Sequence, residues 1–348
     1  MSKVDFVVFI CRAQPYHLGH QANILKAMTY ANKRVIVLVG SSGAARNIKN
    51  PFTFEERKEM ILNDPYVNSS VPLTVLPLQD FKYNNLAWIT QVQEKVKSAI
   101  AQGMHGWSDF PPTVGIIGLD KDESTAYLNW FPQWESLEVD HYGNANGFDA
   151  TLVRKLLFSG ADIKFVKGAL PESTFKVITD NADKWEPLKE EFAFVEKYKE
   201  AWASAPYAPT FVTTDAVVFQ AGHVLLIKRG AMPGKGLWAL PGGFLNPNEQ
   251  ILDGAIRELR EETRLKVPEP VLRGSIIGEK VFDYPGRSLR GRTITHAFGF
   301  KLTELGKLPV VKGSDDAAKA KWVSLVDTKP EEMFEDHMDI INYFKGML

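Results

Sequence analysis

Over the first 165 residues, short runs of branched apolar residues alternate with stretches of helical period. The runs predict strands at 6–10, 34–39, 74–78, 114–118 and 137–140, and the stretches predict helices at 19–31, 53–63, 86–101 and 151–158. That rhythm is the signature of a parallel α/β sheet. Ligands of such open sheets collect beyond the carboxyl ends of the strands, so the loops following residues 10, 39 and 118 are the places to search. Further on, Leu188, Phe192, Val195, Tyr198 and Trp202 recur at intervals of three and four and predict a helix over 186–204. Pro206, Ala208 and Pro209 interrupt it and set an expected domain boundary near 207. The pattern then changes to alternating runs at 211–219, 224–228, 274–282, 293–302 and 320–323, with one strongly helical stretch at 249–262 among them.

A length of 348 residues suits two domains, and 45% apolar with 24% charged residues is a globular composition. A formal net charge of −1, evenly balanced in both halves, gives no polyanion-binding surface, so nucleic acid is not an expected partner. Cys11 is the single cysteine; it cannot form an internal disulfide, which fits a reducing, cytoplasmic setting. The apolar run at 4–11 is too short to span a bilayer and lacks the cleavage pattern of a signal peptide. No membrane association is expected.

The first strand passes into a helix through Arg12-Ala13-Gln14-Pro15-Tyr16-His17-Leu18-Gly19-His20. Free amide groups and the helix dipole attract anions at such a point, Gly19 permits close approach, and His17 and His20, three apart, share one side. One histidine capping the helix and the other lying on the surface is an equal reading of these residues alone. A second basic segment follows the second strand: Gly40-Ser41-Ser42, then Arg46, Lys49 and Asn50-Pro51-Phe52-Thr53 ahead of Glu55, Glu56 and Arg57. Downstream, Asp149-Ala150-Thr151-Leu152-Val153-Arg154 opens another helix whose hydroxyl and guanidinium suit phosphate oxygens.

Over residues 4 to about 170 these motifs resemble the HxGH nucleotidyltransferases, specifically the archaeal-like nicotinamide-mononucleotide adenylyltransferases. The resemblance implies a Rossmann-like parallel-sheet domain that binds ATP and the mononucleotide. It casts His17, His20 and Arg46 as catalytic, with Arg12, Gln14, Gly19, Asn85, Trp88, Gly118, Asp120, Thr151 and Arg154 as nucleotide-binding. Asn85 and Trp88 match the nicotinamide pocket, although Trp88 is equally placed to be a core residue. Cys11 replaces a usual glycine. Asp149 replaces a usual serine, where an acid could repel triphosphate.

Glu258, Glu261 and Glu262 stand at i, i+3 and i+4, on one helical face opposite Ile251, Ala255 and Leu259, with Glu249 upstream. Like charges so placed repel unless a cation joins them, and hard oxygen donors point to Mg2+, with Mn2+ as alternative. Arg257, four before Glu261, can orient that carboxylate. The spacing from Gly243 through Glu249 and Arg257-Glu258-Leu259 to Glu261-Glu262 resembles the Nudix box. That resemblance implies an α/β/α domain with a mixed sheet. It makes Glu258, Glu261 and Glu262 metal ligands, Glu258 and Glu262 catalytic, and Gly242, Gly243, Arg287 and Arg292 substrate-binding. Arg290, between those arginines, shares with them the alternatives of phosphate recognition, a facing subunit or a solvated turn. Asp315 and Asp316 are candidates for a base, and Arg264 replaces the glycine expected after the helix.

The order of modules resembles bacterial proteins that join a nicotinamide-mononucleotide adenylyltransferase to a Nudix ADP-ribose pyrophosphatase. The expected division is a transferase domain at 1–185, a connecting helix and linker at 186–207, and a hydrolase domain at 208–348. ATP, nicotinamide mononucleotide, NAD and ADP-ribose are the expected ligands, and a homo-oligomer is compatible with the sequence. The alternatives are a transferase for nicotinate mononucleotide or phosphopantetheine, and a second half that cleaves dinucleotides or senses a ligand without hydrolysis.

Overall fold

The computed structural model describes residues 3–67, 71–103, 111–118, 123–139, 149–303, 307–313 and 317–348. They form two compact units, Met1–Lys189 and Glu190–Leu348.

In the first unit, β1 (Val4–Cys11), α1 (Leu18–Tyr30), β2 (Ala31–Val39), α2 (Phe54–Leu62), β3 (Leu73–Pro77), α3 (Asn85–Gly103), β4 (Val114–Ile117), β5 (Glu135–Leu137) and α4 (Ala150–Phe158) follow one another, then α5 (Glu172–Asp180). The strands make a parallel sheet in the order β3-β2-β1-β4-β5, with Val8 level with Ile36 on one side and Ile116 on the other. This is a Rossmann-like sheet, and β1 runs through its centre as a continuous apolar string because both its faces are covered. Phe6, Val8 and Ile10 pack with Ile36 and Leu38 against Val92, Val96 and Ala99 of α3. Each of the valine, leucine, isoleucine and phenylalanine side chains, fully buried, contributes about 1.5–3 kcal/mol.

α6 (Glu186–Glu200) carries the chain into the second unit, with the division in its first turn rather than at the prolines. The reason is packing. Tyr198 and Trp202 meet Phe211 edge-on at ring-centroid distances of 5.8 and 5.3 Å, and Glu191 Oε1 accepts the Gly234 N–H at 3.0 Å. Then come β6 (Thr210–Gln220), β7 (His223–Arg229), β8 (Trp238–Ala239), β9 (Gly242–Phe244), α7 (Ile251–Thr263), α8 (Glu269–Gly274), β10 (Ile276–Phe282), β11 (Arg292–Lys301), β12 (Ala317–Ser324) and α9 (His337–Lys345). The sheet is mixed, in the order β10-β11-β6-β7-β12, with β6 and β11 parallel and β8 and β9 added on β7 and β6.

α7 lays Ala255, Ile256 and Leu259 on the face bearing Ala216, Val218, Phe298 and Phe300. On the other face, a side chain at Gly299 would strike Phe344 of α9. The second unit is therefore a helix–sheet–helix sandwich.

α5, α8 and α9 were not among the expected helices, nor were the two short strands β8 and β9. No helix among the described residues is long and apolar enough to cross a membrane.

His337 opens α9, and its Nδ1 accepts the Leu240 N–H at 2.9 Å, so the ring must stay neutral at that nitrogen. Burial lowers its pKa from the usual value, against the pull of Asp215 and Asp336. A histidine depressed in this way binds its proton more readily in the unfolded chain. Its contribution is whole above the unfolded value of about 6.5 and is lost as pH falls below it. The thermal midpoint of the second unit should fall between pH 7.5 and 5.5, and the fall should be shallower in His337→Asn; equal slopes in the two proteins would refute this.

Candidate functional sites

Beyond the carboxyl end of β1 the two histidines open α1. His17 is its N-cap, with Nδ1 accepting the Gly19 N–H at 3.1 Å, and His20 Nδ1 accepts the His17 N–H at 3.3 Å. A nitrogen that accepts carries no proton, so each neutral ring is protonated on Nε2. The ring centroids are 3.8 Å apart. A Cβ at Gly19 would lie 3.0 Å from the His17 ring, which is why that position suits glycine.

Three distant segments are tied around this turn. Gln14, 3% exposed, donates its amide to Phe52 O and accepts the Phe52 N–H, both at 2.9 Å. Arg57 is fully buried; its Nη1 donates to Arg12 O at 2.6 Å and Gly40 O at 2.7 Å, and its Nη2 to Ser41 O at 3.3 Å. Arg154 reaches across 140 positions to Gln14 O at 2.6 Å and also donates to Thr151 Oγ1 at 3.3 Å. The late motif and the HxGH turn therefore share one place.

Lys49 is a partly buried basic residue within electrostatic reach of Arg12 and Arg154. Burial lowers its pKa first, and Arg12, Lys82 and Arg154 lower it further, with Asp80 opposing. Burial and then Arg12 push Arg154 down to about 10, with Asp149 opposing. Half-buried cations that disfavour one another's charge make a receptive place for a polyanion.

Some expected roles change. Gln14 is a brace: both ends of its amide are taken by the Phe52 backbone. Arg46 donates to Pro51 O and to both oxygens of Glu56 at 3.1 and 2.9 Å, while Lys184 shares that carboxylate at 3.0 Å. Its guanidinium lies 5.5 Å over Trp185. It is held by α2. Asp149 caps α4, accepting the Leu152 N–H at 2.8 Å, which explains an acid in place of serine.

Trp88 is partly buried among Tyr127, Trp130 and Phe131 at 5.7, 5.9 and 6.1 Å, in keeping with the core reading. Asn84 caps α3 through the Ala87 N–H, leaving Asn85 exposed in the first turn. Gly118 ends beside Leu128, 2.9 Å from a Cβ placed there. Asp120 lies outside the described residues. Arg57, read in the sequence only as part of a motif, proves to be the brace of this turn; the charged residues around Asn50-Pro51-Phe52-Thr53 were the signal.

In the second unit, Arg257 is the hub of the acidic helix. It donates to Glu249 at 2.9 and 2.7 Å, to Glu258 at 2.8 Å and to Glu261 at 2.9 Å. Glu249 is pulled down to about 2, chiefly by that arginine. Glu262 differs: it is 8% exposed and accepts the Gly242 N–H at 3.0 Å. Burial pushes it up to about 8, against that amide, with Glu258 and Asp215 adding. Burial also raises Glu258, against Arg257. A Cβ at Gly243 would lie 2.5 Å from the Glu258 carboxylate, so glycine lets the strand sit directly on the acids.

Among the described residues no group of three acidic, histidine or cysteine side chains forms a ready metal cage. Arg257 draws two of the carboxylates to itself. The donor chemistry nevertheless fits a hard divalent cation: three carboxylates on one face, two of them disfavoured as anions in their present surroundings.

Arg287 corrects the expectation for a substrate contact. It is 4% exposed and bound bidentately to the buried Asp336 at 2.9 and 2.8 Å. Arg292 donates to Asp283 O. Asp315 and Asp316 lie outside the described residues. Arg264 keeps the left-handed turn expected of glycine, at φ 53° and ψ 25°, at a cost of about 1–2 kcal/mol.

A cytidylyltransferase-like family model matches residues 8–84 and a NUDIX domain model residues 209–344. The nicotinamide/nicotinic acid mononucleotide adenylyltransferase of Acinetobacter baylyi is 35% identical over 178 residues, 51% of this chain and 87% of that protein. The ADP-ribose pyrophosphatase of Methanocaldococcus jannaschii is 33% identical over 139 residues, 40% of this chain and 76% of that protein. A crystal structure of a bifunctional NMN adenylyltransferase/ADP ribose pyrophosphatase from Francisella tularensis, complexed with AMP and a manganese ion, matches with a TM-score of 0.88 at 35% identity, covering 99% of this chain and 100% of that one.

Proposed function

The chain belongs to the family of bifunctional NMN adenylyltransferase/ADP-ribose pyrophosphatases, and from that premise we propose two reactions for it. In the first unit the 5′-phosphate of nicotinamide mononucleotide attacks the α-phosphorus of ATP; the bond to the β-phosphate breaks, and NAD and pyrophosphate leave. In the second, water cleaves ADP-ribose to AMP and ribose 5-phosphate. The observation that carries the first reading is the convergence of Arg154 on the loop before His17-Leu18-Gly19-His20.

Adenylyl transfer asks for positioning and for positive donors on the transferring group rather than for a nucleophile. Arg12, Lys49, Lys82 and Arg154 hold phosphate oxygens, Thr151 adds its hydroxyl, and His17 and His20 present Nε2–H donors. In the second unit Glu258, Glu261 and Glu262 would hold Mg2+ or Mn2+ once Glu258 and Glu261 rotate off Arg257. Such an ion makes its bound water a better nucleophile and offsets charge on the diphosphate. A single cysteine is in keeping with a reducing, cytoplasmic setting for both reactions.

The test is incubation with ATP, Mg2+ and either nicotinamide or nicotinate mononucleotide, with analysis for NAD, its deamido form and pyrophosphate. NAD formation is expected; a deamido product alone would overturn the amide assignment. His20→Ala should slow adenylyl transfer about a hundred- to a thousandfold and leave ADP-ribose cleavage untouched. A rate within threefold of wild type would remove the histidine from the site.

A further inference from the structure

The turn that carries His17 and His20 has a second tie to the α2 segment besides Arg57. Asp64, two residues beyond the end of α2, is fully buried. Its Oδ2 accepts the Tyr16 hydroxyl at 3.0 Å and the Gln21 side-chain amide at 2.7 Å. Its Oδ1 accepts the Tyr66 N–H at 3.0 Å, which fixes the carboxylate in its own turn. Tyr16 and Gln21 are the residues immediately before and after His17-Leu18-Gly19-His20. One carboxylate oxygen therefore joins the two flanks of the histidine turn.

Among the described residues the three hydrogen-bond donors to Asp64 are neutral groups. A carboxylate withdrawn from water in this way depends on every hydrogen bond that it receives. Burial first, and then Asp64, push the Tyr16 phenol above its usual pKa, so the hydroxyl keeps its proton and donates.

The tie reaches the chemistry through a ring. Tyr16, fully buried, stacks on the His20 imidazole at a centroid distance of 6.1 Å and an interplanar angle of 25°, and Phe9 of β1 bounds the same imidazole at 6.5 Å. His20 Nδ1 accepts the His17 N–H at 3.3 Å, so the direction of Nε2 is set by the plane of the ring. Packing against Tyr16 holds that plane, and the bond to Asp64 holds Tyr16.

We propose that Asp64 is a positioning residue for adenylyl transfer: through Tyr16 it keeps the His20 ring in the plane that aims Nε2–H at the transferring phosphate, and through Gln21 it fixes the start of α1. This rests on the transferase reading of the first unit. Asp64, being buried, acts through its two donors.

The test measures NAD formation from ATP, nicotinamide mononucleotide and Mg2+ by the full chain, with ADP-ribose cleavage and the thermal midpoint followed on the same preparations. Tyr16→Phe keeps the ring and removes the hydroxyl. It should lower kcat about tenfold with both KM values within threefold and ADP-ribose cleavage unchanged. Binding of the anions stays with the basic residues, whereas the aim of His20 is felt in the transition state. Asp64→Asn, which alters both bonds, should lose at least as much. In a His20→Ala background neither substitution should lower kcat further, since the group they position is gone. The same fold loss in that background is what a merely structural brace would give, and it overturns the proposal. A kcat within threefold of wild type in Tyr16→Phe overturns it too. If Asp64→Asn does not fold, Tyr16→Phe and its combination with His20→Ala decide. Wild-type chain that makes neither NAD nor its deamido form defeats the transferase reading itself, whereas active wild type with an insensitive Tyr16→Phe defeats only the assignment of Asp64.

Discussion

Glu262→Gln is expected to slow ADP-ribose hydrolysis by about a thousandfold, with adenylyl transfer by the same preparation unchanged. Glutamine keeps the shape and the oxygen that accepts the Gly242 N–H. It removes only the charge, which is what a divalent ion would use. Burial disfavours that charge, so the variant should unfold at the same temperature as wild type or slightly above. Activity loss with a steady thermal midpoint therefore separates metal binding from fold. AMP release at saturating Mg2+ is the readout, and a chelator should reproduce the loss in wild type. A variant within tenfold of wild type would remove Glu262 from the chemistry.

Arg287→Ala should act on stability. The Arg287–Asp336 pair is buried on both sides, with side-chain exposures of 3% and 0%. Removing one partner strands a carboxylate, at a cost of about 3–5 kcal/mol, or a fall of roughly 10 °C in the midpoint of the second unit. The double variant Arg287→Met, Asp336→Leu should recover most of that fall, because no charge is left behind. Calorimetry of the three proteins gives the answer. A single variant melting within 2 °C of wild type would mean that Arg287 is not holding the loop before β11.

The alternation of apolar runs was enough to place the central strands of the first sheet, because β1 and β2 are covered on both faces and carry little else. The acidic helix was equally legible: its i, i+3, i+4 carboxylates and its apolar stripe are local properties. α5 and α9 were overlooked although each carries a signal, Val177 and Ile178 three and four after Thr174, and Phe344 three after Ile341. The parts that sequence could not supply are partners. Gln14 reads as a ligand contact until Phe52, 38 positions away, is seen to occupy its amide. Arg287 reads as a phosphate residue until Asp336, 49 positions away, takes both its arms. Arg46 and Lys49 are near neighbours in the chain, and only the fold shows that the first is spoken for by Glu56.

The braces around the first turn have a thermodynamic consequence. Gln14 supplies Phe52 with one rung of a ladder from a side chain, and Arg57 gathers carbonyls from the segments after β1 and after β2. Ordering a loop residue costs about 1–2 kcal/mol. Here that entropy is lost during folding, once for the life of the molecule, so an anion bound as proposed at this turn would meet a finished cradle, its attraction undiluted by having to assemble one.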